Sequence, residues 1–215
     1  AAEGVRSTFF GVSILDGDWE VRVSAAREPV LSALKESVRG GWEVGLHGSN
    51  ASASDGARLR TERERLEEAL GSGVTTLRQH NLRWEGPSSW VRQSEAGFLC
   101  DSSIGFNEAN AFRSGTSFPF PAFSPEGRRL DLIEVPEVFM DKLGPDPAAE
   151  VEHLLSRLRR SGGCASVNWH ERSFCREDFP GKAETYLALL RKARADGAWM
   201  APVGEIARWW RESRA

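Results

Sequence analysis

The chain has 215 residues, 40% hydrophobic and 27% charged, with a formal net charge of −3. That length suffices for one domain with a sizeable core, while basic residues scattered among acids exclude the cationic stripe of a nucleic-acid binder. The apolar runs fall far short of the roughly 20 residues a membrane span needs.

From the first residue, "AAEGVRSTFF" shows no charged region leading into an apolar one, so no secretory signal is read there. The segment 7–14, "STFFGVSI", is expected to be a strand. Residues 27–41 are expected to form a helix, with Pro29 in its first turn and a glycine pair as the stop. A strand follows at 42–47, then a charged amphipathic helix at 57–73, a strand at 74–80, a helix at 88–97 and a strand at 98–103. The interval 107–129, rich in Phe, Pro, Gly and Ser, reads as a loop over the site.

Beyond it, 130–138 reads as one strand. Residues 146–163 read as a helix with an Asp-Pro start, apolar Val151, Leu154, Leu155 and Leu158, and a glycine stop. A strand at 164–170, a helix at 183–197, a strand at 198–203 and a closing helix at 204–213 complete the chain. This alternation implies an α/β fold, a mostly parallel sheet or a barrel with helices outside. Cys100, Cys164 and Cys175 are an odd number without CxxC spacing, which suggests neither a disulfide framework nor a zinc ribbon. Eight tryptophans accompany one tyrosine; most are read as core, though sugar sites also favour indole.

In parallel α/β folds, ligands bind at the C-terminal ends of the strands. Three of the four histidines fall there: His47 after "WEVGL", His80 after "TTLRQ" and His170 after "SVNW". His153 lies within a helix and reads as a surface residue. Neutral imidazole ligates zinc and similar metals, and an unligated one serves as acid or base near neutral pH; packed, hydrogen-bonded core rings are the alternative. Arg78, Asp101 and Asp141 share these strand exits. An arginine there can hold a carboxylate in a bidentate pair; each of the three could instead be half of a structural salt bridge, which is the preferred reading for Asp101 and Asp141 taken singly.

Several of these stretches, in order, resemble the polysaccharide deacetylases, the NodB-homology, carbohydrate esterase family. They are "GVRSTFFGV", "GWEVGLHGS", "LRQHNLRW", "AGFLCDSSIGF" with "FRSGTSFPF", "LIEVPEVFMD" and "SVNWHE". The resemblance runs over nearly all of the chain and is nearest to a bacterial branch linked to surface-polysaccharide genes. It implies a distorted seven-stranded (β/α) barrel spanning 1–215. It also implies a divalent metal, zinc for preference, and hydrolysis of an acetyl group from an amino sugar in a polysaccharide or its precursor.

By position, the resemblance makes His47 a metal ligand, Arg78 the residue orienting a catalytic carboxylate, and His170 the general acid. Trp84, Asp101, Phe118 and Trp169 would face substrate. Two departures stand out. The family's second metal histidine lies four residues after the first, where this chain has Ala51; His80 is the expected replacement, with Ser49 or Ser52 through water the weaker one. The family's aspartate-bearing first strand belongs upstream of "STFF", where only "AAEGVR" stands, and Glu3 does not fill the role. An N-terminally incomplete domain, lacking its first strand, is therefore expected to bind metal weakly and turn over little. Two other functions remain open: a non-catalytic carbohydrate-binding relative using the aromatic loop of Phe112, Phe118, Phe120 and Phe123, and a glycoside hydrolase pairing Asp101 with Asp141 or Glu171. The cysteines and the surface-polysaccharide branch point to the cytoplasm.

Overall fold

A computed structural model describes residues 4–12, 28–142 and 144–214. Glu3, the end of the first expected strand (13–14) and Arg27 at the start of the first helix lie outside the described residues. The chain divides into two compact units: a larger one of residues 6–104, 119–135 and 201–215, and a smaller one of residues 1–5, 105–118 and 136–200.

The larger unit holds a six-stranded sheet built from β1 (Thr8–Val12), β2 (Glu43–Gly48), β3 (Thr76–Gln79), β4 (Cys100–Asp101), β5 (Phe120–Phe123) and β6 (Arg129–Glu134), in the order β1-β2-β3-β4-β6-β5. The β1, β2, β3, β4 and β6 neighbours are parallel, and β5 alone runs antiparallel, beside β6. Helices α1 (Glu28–Arg39), α2 (Gly56–Leu70), α3 (Pro87–Glu95) and α6 (Val203–Ser213) belong to this unit. Leu46, Leu59, Leu66, Val74, Leu77, Phe98 and Leu132 form its buried centre. Parallel pairing buries the sheet on both faces, which is why β3 is buried at every position.

The smaller unit contains β7 (Glu137–Met140) paired in parallel with β8 (Ser166–Asn168), and helices α4 (Pro147–Ser161) and α5 (Lys182–Ala195). Val138, Phe139, Val151, Leu154, Leu155, Leu189 and Ala193 make a separate core. The chain is thus α/β throughout. No helix among the described residues is long and apolar enough to cross a membrane.

Local chemistry explains the helix limits. Asp55 caps α2 by accepting from the Arg58 N–H at 3.0 Å, and Asp146 caps α4 through Ala149 N–H at 3.0 Å. Gly71 and Gly162 close the same two helices in left-handed backbone at φ 68° and 66°, where a side chain would be strained.

Three expectations are corrected. The single strand expected at 130–138 is two strands, because Pro136 has no N–H to offer a ladder. The loop expected at 107–129 contains β5, which turns back against β6 through a tight turn where Gly127 N–H donates to Ser124 C=O at 2.9 Å. The strand expected at 198–203 does not form. Ala198 N–H instead folds back onto Ala193 C=O at 2.9 Å to end α5, Trp199 is half exposed, and Pro202 leads directly into α6.

Candidate functional site

The ladder sets the site in the larger unit. β2 and β3 pair with His47 opposite Arg78 and Gly48 opposite Gln79. His80 follows at once, opening a 3-10 turn of residues His80–Leu82. Asn81 and Leu82 both sit in left-handed backbone, at φ 53° and 50°. Asparagine visits that region readily; a branched side chain does so only where its surroundings hold it. Leu82 is held by burial, at 3% exposure.

This turn swings the His80 ring back beside His47. His47 Nε2 and His80 Nδ1 lie 3.1 Å apart, with ring centroids at 5.1 Å and planes at 63°. Both side chains are half-buried. Two nitrogens bound at about 2.0–2.1 Å to one tetrahedral zinc would stand about 3.3 Å apart. The pair therefore fits a divalent cation in donor type and in spacing. It supplies two nitrogens of the three protein ligands a catalytic zinc takes; no group of three His, Cys, Asp or Glu side chains converges among the described residues.

Beneath the pair lies a buried polar layer. Glu62 of α2, fully buried, accepts from both the N–H and the hydroxyl of Ser49 and from Arg58 Nε at 3.2 Å. Gln79 donates through Nε2 to Ser49 C=O and to Ser52 Oγ. Arg78, 4% exposed, donates from Nε to Ser102 C=O at 3.1 Å and from its terminal nitrogen to Ser102 Oγ at 3.0 Å. Its guanidinium also lies 4.5 Å from the centre of the Phe10 ring.

Asp101 and Glu134 face each other on adjacent strands, both fully buried. Burial pushes the Asp101 carboxyl up, partly offset by hydrogen bonds from Ser103 and Glu134. Burial pushes Glu134 well above the usual range, and the Asp101 charge adds to this. Two such groups hold one proton between them. The Asp101 carboxyl lies inside the protein and takes the Ser103 hydroxyl at 2.6 Å.

In the smaller unit, His170 follows β8 and its Nδ1 lies 2.9 and 3.0 Å from the two oxygens of Asp141. Asp141, buried beside the end of β7, also accepts from His170 N–H at 3.1 Å and from the Ser173 hydroxyl. Burial raises its carboxyl, but the hydrogen bonds from His170 and Ser173 outweigh this and bring it to about 2. An ionised carboxylate on Nδ1 fixes the tautomer and leaves Nε2 for chemistry. The His170 side chain is 38% exposed.

The aromatic candidates are half-buried. Trp84 packs on Trp90 with centroids 5.0 Å apart, and Trp169 lies between Phe139 at 6.4 Å and Tyr186 at 5.3 Å. The Phe118 N–H donates to Thr116 Oγ1 at 3.1 Å. His153 is exposed on α4, as read from sequence. Burial raises Cys100 and takes Cys164 to about 12, so neither thiol is a nucleophile near neutral pH.

Four residues escaped the sequence reading in these roles: Glu62, Gln79, Glu134 and the carboxylate partner of His170. Two carried a visible signal. Glu62 lies between Leu59 and Leu66 on the buried stripe of α2, and Glu134 interrupts the apolar run "LDLIEV". Nothing in the local sequence links Asp141 to a histidine 29 residues away.

No family model matches the chain, and no curated protein matches it. Solved structures do. A polysaccharide deacetylase candidate from Mycobacterium smegmatis aligns at TM-score 0.71 and 20% identity, over 99% of this chain and 74% of that one. The Puue allantoinase aligns at 0.64 and 16%, over 97% and 68%. A polysaccharide deacetylase candidate from Pseudomonas aeruginosa PAO1 aligns at 0.64 and 15%, over 98% and 69%. The chain has the fold of the polysaccharide deacetylases.

Proposed function

We propose that this protein removes an acetyl group, by hydrolysis of the amide C–N bond, from an amino sugar in a glycan or glycan precursor, using a divalent cation held by His47 and His80. The observation that carries the reading is the 3.1 Å approach of His47 Nε2 to His80 Nδ1 from two separate strand ends. The shared fold with polysaccharide deacetylases supports it.

When bound, a zinc-like cation supplies polarisation of the acetyl carbonyl and a water of lowered pKa. His47 and His80 bind it as neutral rings, each through the nitrogen turned toward the other. The family resemblance assigns His170 the general-acid role, and Asp141 on its Nδ1 would stabilise the charged ring. Arg78, anchored on Ser102, is the cationic group assigned to orienting a carboxylate. Trp84, Phe118 and Trp169 are the surfaces assigned to sugar faces.

Acetate release from N-acetylglucosamine oligomers, followed with added zinc or cobalt, tests the reading. Slow turnover that EDTA abolishes and that His47→Ala and His170→Ala each remove is expected. Release that persists with EDTA or in His47→Ala would refute it.

A further inference from the structure

The two imidazoles sit on different strand ends, and β2–β3 backbone pairing ends at Gly48 opposite Gln79. Something beyond the ladder must hold the rings at one separation. Gln79, the residue before His80, is 1% exposed, and its side-chain amide reaches across to the other strand's exit. There it donates to Ser49 C=O, two residues past His47, and to Ser52 Oγ at 3.3 Å. Gly48 leaves the room for this: a Cβ there would lie 2.6 Å from Gln79 Oε1. Ser49 is in turn fixed by Glu62, which accepts its N–H at 3.1 Å and its hydroxyl. Ser52 N–H closes the loop onto Ser49 Oγ at 3.2 Å. Every side chain in this clamp is buried to 1% exposure or less, so water cannot replace a lost partner and each bond is costly to break.

We propose that Gln79, backed by Glu62, is a positioning residue that locks the exits of β2 and β3 together, sets the His47–His80 separation, and thereby sets the affinity of that pair for a divalent cation. The cation rests on the function proposed above; the ring separation does not. Groups that orient metal ligands from behind are worth about 10- to 100-fold in affinity.

The test compares the full chain with Gln79→Leu, which keeps a side chain of moderate volume but removes the donors. Folding is checked by circular dichroism. Cobalt(II) is titrated as the probe, read by its visible absorption, and ring-to-ring contacts of His47 and His80 are read by NMR without metal. The proposal expects a folded variant with weakened ring contacts and cobalt affinity lowered about 10- to 100-fold. Equal cobalt affinity and unchanged ring contacts would overturn it. If the parent chain itself binds no cobalt, the cation reading fails, and the positioning role stands or falls on the NMR contacts alone. If Gln79→Leu does not fold, Gly48→Ala displaces the amide while leaving Gln79 in the chain, and the same two readouts decide.

Discussion

Replacing Asp101 with asparagine is expected to stabilise the protein by a margin that widens as pH rises. Asp101 and Glu134 are fully buried on adjacent strands. Glu134 already accepts Ile104 N–H at 3.1 Å on one oxygen and Trp90 Nε1–H at 3.2 Å on the other. Asp101 accepts the Ser103 hydroxyl on Oδ1, and Gln93 and the Ser102 backbone also hydrogen-bond to its carboxyl. Both carboxyls are raised, so the folded pair keeps a proton that the unfolded chain has released above about pH 5. Folding then takes up one proton, and stability falls with rising pH by about 1.4 kcal/mol per unit until the folded pair ionises. In Asp101→Asn, the amide donates to Glu134 where the shared proton did, and its oxygen still accepts from Ser103. Urea unfolding at pH 6, 7 and 8 measures this. The gap between variant and parent should widen from pH 6 to pH 8, with about 1.4 kcal/mol per pH unit as the ceiling set by one proton. A constant offset would show that the pair carries no trapped proton and refute the reasoning.

Three further outcomes are expected. Asp141→Asn should cost about 2 kcal/mol at pH 7 and only a small part of that near pH 2, since a carboxyl lowered to about 2 stabilises above the ordinary range and loses that contribution as pH falls through its folded value; urea unfolding at the two pH values checks it. Gly204→Ala should destabilise by about 1–3 kcal/mol, because a Cβ there would lie 2.0 Å from Glu43 Oε1; that carboxylate takes Gly204 N–H at 3.0 Å and anchors α6, whose preceding Pro202 offers no side-chain cap. Glu62→Ala should unfold at lower urea than the parent by about 1–3 kcal/mol, since Ser49 N–H and Arg58 would lose a buried acceptor.

What could be read from sequence was whatever depends on neighbours along the chain. Asp146 at the Asp-Pro start of α4, Gly162 as its stop, and its apolar stripe at Val151, Leu154 and Leu155 are all local chemistry, and the structure shows them in those roles. The strand exits at His47, His80 and His170 follow from the same logic. What failed was decided at a distance. β5 forms because β6 offers it an edge, despite Pro121, which an edge strand tolerates. The apolar 198–203 segment has strand composition but is drawn into the end of α5 and the start of α6. Asp141 looked like half of a salt bridge, and its partner proved to be the one histidine assigned an acid's role.

The central claim is that His47 and His80 share a divalent cation. Crystals of the full chain soaked in zinc, with diffraction recorded on both sides of the zinc edge, test it most directly. The account predicts an anomalous peak about 2.0–2.1 Å from both His47 Nε2 and His80 Nδ1. Zinc bound elsewhere, with the two rings still in direct hydrogen bond, would contradict it.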